Sequence, residues 1–195
     1  MQQNGSDIAL ITHTAPITTP THGGRAKCLQ RLVRLDFPVP RTVALSFEMV
    51  HKLASGEISD ISNILSSFAE EDLLCVRPSS ESPDWGGPGA VLNVGMNDEI
   101  YRMLHLRIGE EAAAKIYFRF VQGYSIHVAR LDPEIFDHIH GHGKCALDEA
   151  LIAYENETQQ PFPQDKSIQL GEVLRSMARV WEGTTARLLR QAKGA

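Results

Sequence analysis

The residues GGRAKCLQRLVRLDFPVPRTVALS, at positions 23–46, decide the first part of the fold. After the two glycines, apolar residues recur at three- and four-residue steps, which predicts a helix over 25–35. Each proline of DFPVP disfavours helical geometry in the residue before it, so the helix ends at this point. TVALSF, at 42–47, then has the composition of a β-strand. The stretch therefore predicts a glycine turn, a helix and a strand in succession.

On either side of this stretch the chain alternates between short strands and short helices. IALIT, at 8–12, predicts a strand, and the threonine- and proline-rich residues 14–21 predict a loop. The pattern downstream predicts helices over 48–53 and 58–68 and strands over 73–76 and 91–94. The continuous apolar run LLCV, at 73–76, is typical of a fully buried strand. RPSSESPDWGGPG, at 77–89, is the most loop-like stretch, and long loops in compact domains are usually functional or mobile.

From residue 97 onwards the pattern is helical. Asn97-Asp98-Glu99 predicts a helix start, and further helices are predicted over 110–128, after Asp132-Pro133, over 146–158 and over 169–191. Strands early in the chain and helices later predict the α+β class. We expect a single domain over 1–195, with a mixed α/β part at 1–100 and a helical part at 101–195.

Composition and charge exclude several classes of protein. The chain has 195 residues, of which 43% are hydrophobic, and this suffices for a core. Its 19 basic and 24 acidic residues give a formal net charge of −5, whereas nucleic-acid binders and polybasic membrane binders need a positive surface. No apolar run approaches the roughly 20 residues of a membrane span, and the N-terminus lacks a signal-peptide pattern. We expect a cytoplasmic protein with neither nucleic acid nor membrane as a partner.

The cysteines and one group of histidines are the candidate metal ligands of the chain. Cys28, Cys75 and Cys145 are widely spaced and form no CxxC pair, so neither a disulfide framework nor a thiolate zinc site is indicated. We expect reduced and mostly buried thiols. In DHIHGHGK, alternate spacing would place three imidazoles on one side of an extended chain, which is compatible with weak metal capture by His138, His140 and His142. The interspersed glycines favour a polar surface loop instead.

Two places have the residues to bind an anion. At the first, Gly23 and Gly24 precede the predicted helix, and Arg25 and Lys27 follow them. Glycines let backbone N–H groups approach a ligand, and a helix N-terminus favours negative charge. The alternative is an ordinary turn, since the Gly-Lys-Ser/Thr ending of a Walker loop is missing. At the second, Arg77 ends a strand and would present a fixed charge to a phosphate. The alternative there is an arginine paired with a nearby carboxylate.

Several blocks of the sequence, in order along the chain, resemble pyruvate phosphate dikinase. The opening stretch resembles that family's Gly-Gly-Lys-Gly-Ala helix and its Leu-Pro-Val-Pro end. The second block resembles the strand and Val-Arg-Ser loop, and a later block resembles the family's Pro-Phe-Pro-Gln-Asp segment. The blocks after the first are LLCVRPSSESPDWGGPGAVLNVGMNDE at 73–99, YFRFVQGYS at 117–125, PFPQDKSIQL at 161–170 and RVWEGTTARLLRQ at 179–191.

The resemblance implies the first part of an ATP-grasp-like nucleotide-binding domain, with ATP and Mg²⁺ as its ligands. In the family, this domain uses ATP to phosphorylate a histidine on a swivelling domain, and a separate barrel passes the phosphoryl group to pyruvate. Carried over residue by residue, Gly23 and Gly24 match the family's glycines. Arg25 takes the place of its ATP-binding lysine, and Arg77 matches its nucleotide-phosphate arginine.

The chain also departs from the family pattern. Arg25 keeps the charge of lysine but offers a broader, forked donor, Ala26 replaces a glycine, and Glu81 reverses the charge of a second arginine. The resemblance further implies that the half-domain with the acidic metal ligands, the phosphohistidine domain and the pyruvate barrel are missing. Because phosphoryl transfer depends on metal-assisted charge stabilisation, we expect a nucleotide-binding subdomain that is not catalytic alone, with a separately encoded remainder as partner. The alternative is a regulatory or interaction module that kept the fold and lost the nucleotide.

Overall fold

The structure is a computed structural model that describes residues 7–58, 60–80, 89–184, 186 and 188. Its strands are β1 (Ile8–Leu10), β2 (Val43–Leu45), β3 (Leu74–Val76) and β4 (Val91–Val94). Its helices are α1 (Thr19–Arg34), α2 (Phe47–Ser55), α3 (Ser62–Leu65), α4 (Asp98–Ile108), α5 (Glu110–Tyr124), α6 (Glu134–Asp137), α7 (Gly143–Thr158) and α8 (Lys166–Glu182). Two small antiparallel sheets and many helices confirm the α+β class, whereas the ATP-grasp assignment stays a prediction.

Two of the early elements differ from their predictions. The predicted loop at 14–21 is helical from Thr19, because Pro20 in the first turn has the backbone angle that a helix start needs. The predicted helix over 58–68 is reduced to α3 (Ser62–Leu65). Among the described residues of that segment, Ile61 and Ile64 are the buried apolar residues, so the face that packs against the protein is narrow. Short helices depend on packing of a whole face, so the other described residues of 58–68 are not helical.

The predicted helix over 110–128 changes its hydrogen bonding before its end. It is an α-helix as far as Tyr124 and then continues as a π-helical turn, Ser125–Ala129. At this point the Ser125 hydroxyl donates to the carbonyl of Val121 (2.7 Å) and so competes with the backbone ladder. The predictions for residues 59, 81–88, 185, 187 and 189–191 lie outside the described residues.

The expectation of buried cysteines is wrong, because Cys28, Cys75 and Cys145 are all exposed. In β3, Leu74 is buried while Cys75 projects from the opposite face, as successive residues of a strand do. The expectation that residues 73–76 form a fully buried strand is therefore also wrong. This strand is apolar throughout but buries one face.

The chain divides into two compact units. The described residues of the first unit fall within 1–69, 78–88 and 177–195, and those of the second fall within 70–77 and 89–176. These units are defined by internal contacts and not by independent folding, so the single domain over 1–195 stays a prediction. Among the described helices, none is both long enough and apolar enough to cross a membrane.

The first unit is built on the two-stranded sheet of β1 and β2. The strands pair antiparallel, with Ala9 opposite Ala44. Both alanines belong to an apolar cluster that includes Ala26 of α1, and their small side chains allow the helix to approach the sheet closely. Helix α2 begins at Phe47, where the hydroxyl of Ser46 accepts the backbone N–H of Met49 as an N-cap.

The second unit is built around α5, which packs against α4, α7 and β4. One face of α5 is fully buried and carries two alanines and three large aromatic residues: Ala113, Ala114, Tyr117, Phe120 and Tyr124. Phe162, from the PFPQDKSIQL segment, contacts the three aromatic rings of this face and the ring of Tyr154 in α7. The second unit therefore has an aromatic core that includes one residue from a loop.

Gln169 connects three parts of the second unit. Its side chain is fully buried and accepts the N–H of Gly95 (2.8 Å), while its amide group donates to the carbonyls of Met96 (2.9 Å) and Pro163 (2.7 Å). Phe162 and Gln169 of the PFPQDKSIQL segment thus contribute packing and hydrogen bonds to the interior of this unit.

Candidate functional site

The candidate site begins at a break in α1. Gly23 has φ 81° and ψ 167°, which lies outside the helical region, so α1 consists of a short first piece and a longer piece that starts after Gly23. Such a backbone conformation is almost confined to glycine. The double glycine therefore precedes a helix start, as the sequence predicts.

The segment Ser79–Ser80 lies directly against this break. The hydroxyl of Ser79 donates to the carbonyl of His22 (2.7 Å) and accepts the N–H of Ala26 (3.0 Å). The N–H of Gly24 donates to the carbonyl of Ser80 (2.6 Å). Two of the backbone donors at the start of the longer helical piece are thus bonded to another part of the chain.

Gly23 is required here by the close approach of the backbone of Ser79. A Cβ atom built on Gly23 would lie 2.0 Å from the carbonyl oxygen of Ser79 and 2.4 Å from its carbonyl carbon. Gly23 is itself buried, while Arg25 two residues later is exposed. The structure therefore separates the roles of the two residues. Gly23 accommodates the protein's own chain, and Arg25 is the group that a ligand can reach.

Lys27 does not extend the site. Its ammonium group donates to the carbonyl of Ile17 (2.9 Å) and to the side-chain oxygen of Gln30 (2.9 Å). Gln30 is fully buried and donates in turn to the carbonyls of Thr12 (3.2 Å) and Ala15 (2.6 Å). This network fastens the loop after β1 to α1. The sequence contains a signal for this network. Gln30 lies on the same face of the helix as buried Ala26, and a polar side chain on a buried face needs hydrogen-bond partners.

The charge of α1 is unusual for this chain. The protein carries a net charge of −5, yet α1 has no acidic residue and carries Arg25, Lys27, Arg31 and Arg34. Arg25 lies near the start of the longer helical piece, where the helix dipole adds positive potential. In the described part of the chain, no carboxylate lies within ion-pair distance of Arg25. A phosphate at this position would meet positive charge from one side chain and from the helix end.

Arg77 belongs to the second unit and is exposed directly after β3. No carboxylate among the described residues pairs with it, so the alternative of an internal ion pair has no support in that part of the chain. The three alternating histidines, His138, His140 and His142, are exposed as well. Within the described ranges, no three His, Cys, Asp or Glu side chains are placed to hold a metal ion together.

Ser79→Ala is expected to lower the free energy of unfolding by about 1–2 kcal/mol, because it leaves the carbonyl of His22 and the N–H of Ala26 without their shared partner. Urea unfolding followed by circular dichroism measures this change. Ser66→Ala is the control, since the hydroxyl of Ser66 makes a local bond within three residues. Equal effects of the two substitutions would contradict the role given to Ser79.

Comparison with known proteins gives one distant relationship. No protein-family model matches the chain. The chain is similar to a pyruvate, phosphate dikinase from Entamoeba histolytica, with 24% identity over 200 aligned residues. The alignment covers 84% of this chain and 23% of the dikinase, so the chain spans less than a quarter of that relative's length. The similarity supports a remote relationship that extends along most of the chain.

Proposed function

We propose that the chain is a nucleotide-binding region related to that of pyruvate, phosphate dikinase, and that it binds the phosphates of ATP at the start of the longer piece of α1. The observation that carries the proposal is the similarity to the dikinase over 84% of this chain. Gly23 and Gly24 shape the helix start, and Arg25 there is the residue that contacts the phosphate, as the first part of an ATP-grasp-like domain. A cytoplasmic location accords with this use of ATP.

The geometry defines how the phosphate would be bound. Because the N–H groups of Gly24 and Ala26 already have partners, the guanidinium of Arg25 supplies the main contact. Guanidinium groups bind phosphate oxygens in a forked, charge-assisted geometry. The described residues do not fit a metal site of their own. Mg²⁺ would then reach this chain bound to the nucleotide.

Titration calorimetry with ATP and Mg²⁺ tests the proposal. We expect binding in the millimolar range, and we expect Arg25→Ala to weaken it roughly tenfold, since one charge-assisted hydrogen bond contributes about 1.5–3 kcal/mol. Arg31→Ala is the matched control, because it removes the same charge from the last turn of the same helix. The absence of heat at millimolar ATP, or equal losses in the two variants, would remove the phosphate site at Arg25.

Arg77→Ala, measured in the same titration, tests the second predicted arginine separately. A tenfold loss would support the role that the resemblance implies for Arg77. An unchanged affinity would contradict that role.

A second candidate function is a regulatory or interaction module that no longer binds nucleotide. The hydrogen bonds from Ser79 and Ser80 to the helix start favour it, because they occupy donors that a phosphate would use. The dikinase reaction as a whole belongs to a protein of which this chain matches 23%. For a nucleotide-binding part of such an enzyme, we propose the remainder of the enzyme as the partner. Coexpression with a candidate remainder, read out as pyruvate-dependent consumption of ATP, tests this.

A further inference from the structure

The outer edge of β2 carries backbone groups that have no partner in the described part of the chain. The N–H of Ser46 donates to the carbonyl of Asp7 across the sheet (3.0 Å). In an antiparallel pair, residues whose backbone N–H and C=O groups face the partner strand, as those of Ser46 do, alternate with residues whose backbone groups face away from it. The N–H and C=O groups of Val43 and Leu45 therefore point away from β1. The sheet ends after β2 on this side, so these groups lie at an open edge.

The side chains next to this edge are apolar. Leu10 lies opposite Val43, and Ile8 lies opposite Leu45, on the face of the sheet that is opposite to the alanine cluster. Leu10 is 37% exposed, and the other three are half-buried. A two-stranded sheet has little stability of its own, and an open edge of this kind is a template for another strand. The occupant that fits is an extended strand with apolar side chains on one face.

The charged residues that flank β2 indicate which strand would pair with this edge. Arg41 precedes the strand and Glu48 follows it, and both are exposed. Antiparallel pairing of two β2 strands about Ala44 brings the Arg41 end of each copy to the Glu48 end of the other. In this register Arg41 of each copy would lie one position from Glu48 of the other, so opposite charges are neighbours at both ends of the pair, and Glu48 is also bonded to Lys52 in its own copy (2.8 Å).

The hydrogen bonding is self-complementary in the same register. Val43 of one copy lies opposite Leu45 of the other, and because both residues direct their backbone groups outward they exchange both hydrogen bonds. Their side chains then lie on one face and extend the apolar surface across the new edge. We propose that a second copy of this chain docks on the edge of β2, so that the two sheets join into one antiparallel sheet across a twofold axis.

Sedimentation equilibrium from low micromolar to several hundred micromolar protein tests the proposal. We expect a monomer–dimer equilibrium, and we expect Val43→Pro to raise its dissociation constant at least tenfold. Proline at position 43 removes an outward N–H and leaves the ladder to β1 intact, since proline is tolerated where the N–H faces away from the sheet. Leu10→Pro is the matched control, because it removes the outward N–H on the opposite edge, at β1, and should leave the dimer unchanged.

Charge reversal gives an independent measurement that does not depend on proline. Arg41→Glu and Glu48→Arg should each weaken the dimer, and the double variant should restore it, because the opposite charges meet again in the twofold arrangement. The charge series decides the question if Val43→Pro loses its far-UV circular dichroism. A chain that is monomeric at the highest concentration, a dimer insensitive to Val43→Pro in a folded protein, or a double variant without recovery would each overturn the proposal.

Discussion

Gly23→Ala is expected to lower the free energy of unfolding by about 4 kcal/mol, at the upper end of single-substitution effects. Two costs combine at this position. The backbone conformation at φ 81° and ψ 167° is one that residues with a side chain rarely adopt, and this costs about 1–3 kcal/mol. The added Cβ would also lie 2.0 Å from the carbonyl oxygen of Ser79, which is a backbone atom and cannot rotate away. The Ser79–Ser80 segment must therefore leave the start of the helix.

Gly109→Ala separates these two costs. Gly109 has φ 87° and ψ 160°, nearly the same conformation as Gly23, but a Cβ there would meet no atom within 4 Å. Its effect should be limited to the conformational cost. Urea unfolding followed by far-UV circular dichroism measures both variants. If Gly23→Ala costs no more than Gly109→Ala, the close approach of Ser79 does not constrain the fold.

The elements that could be predicted from the sequence are those whose signal is local. Helix α5 begins at Glu110 as predicted, because its buried residues recur at helical spacing, and α2 begins where Ser46 supplies a cap. The weak apolar pattern of residues 58–68 gave a helix that is too long. The length of this helix depends on how wide an apolar face the rest of the protein can bury, and the periodicity of the sequence alone does not show this.

The candidate site illustrates the limit of local signals. Two glycines before a helix predict a turn, and in the structure Gly23 has a non-helical backbone conformation that interrupts α1. The segment that closes on this break contains Ser79, which is 57 residues away from its partner His22 in the sequence. No periodicity or spacing connects residues so far apart. The sequence therefore identifies the helix start and its exposed Arg25, but not which backbone donors are already bonded.

Phe162→Ala is expected to lower the free energy of unfolding of the protein by about 4 kcal/mol, within the range for the loss of a buried phenylalanine. The ring of Phe162 is 5% exposed and lies edge-on to four other rings: Tyr117 at 6.1 Å, Phe120 at 5.5 Å, Tyr124 at 5.3 Å and Tyr154 at 5.1 Å between ring centroids. Aromatic pairs in this geometry contribute beyond the area that they bury. Truncation removes these contacts and leaves a cavity.

The position of Phe162 makes this cavity difficult to close. Prolines flank the residue on both sides, which restricts the backbone, and the carbonyl of Pro163 is held by the buried amide of Gln169 (2.7 Å). Phe162→Leu should cost less, about 1–2 kcal/mol, because it refills much of the volume. Leu106→Ala is the control, since Leu106 lies in the same unit and is 89% exposed. If urea unfolding shows equal losses for Phe162→Ala and Leu106→Ala, then the PFPQDKSIQL segment does not contribute a core residue.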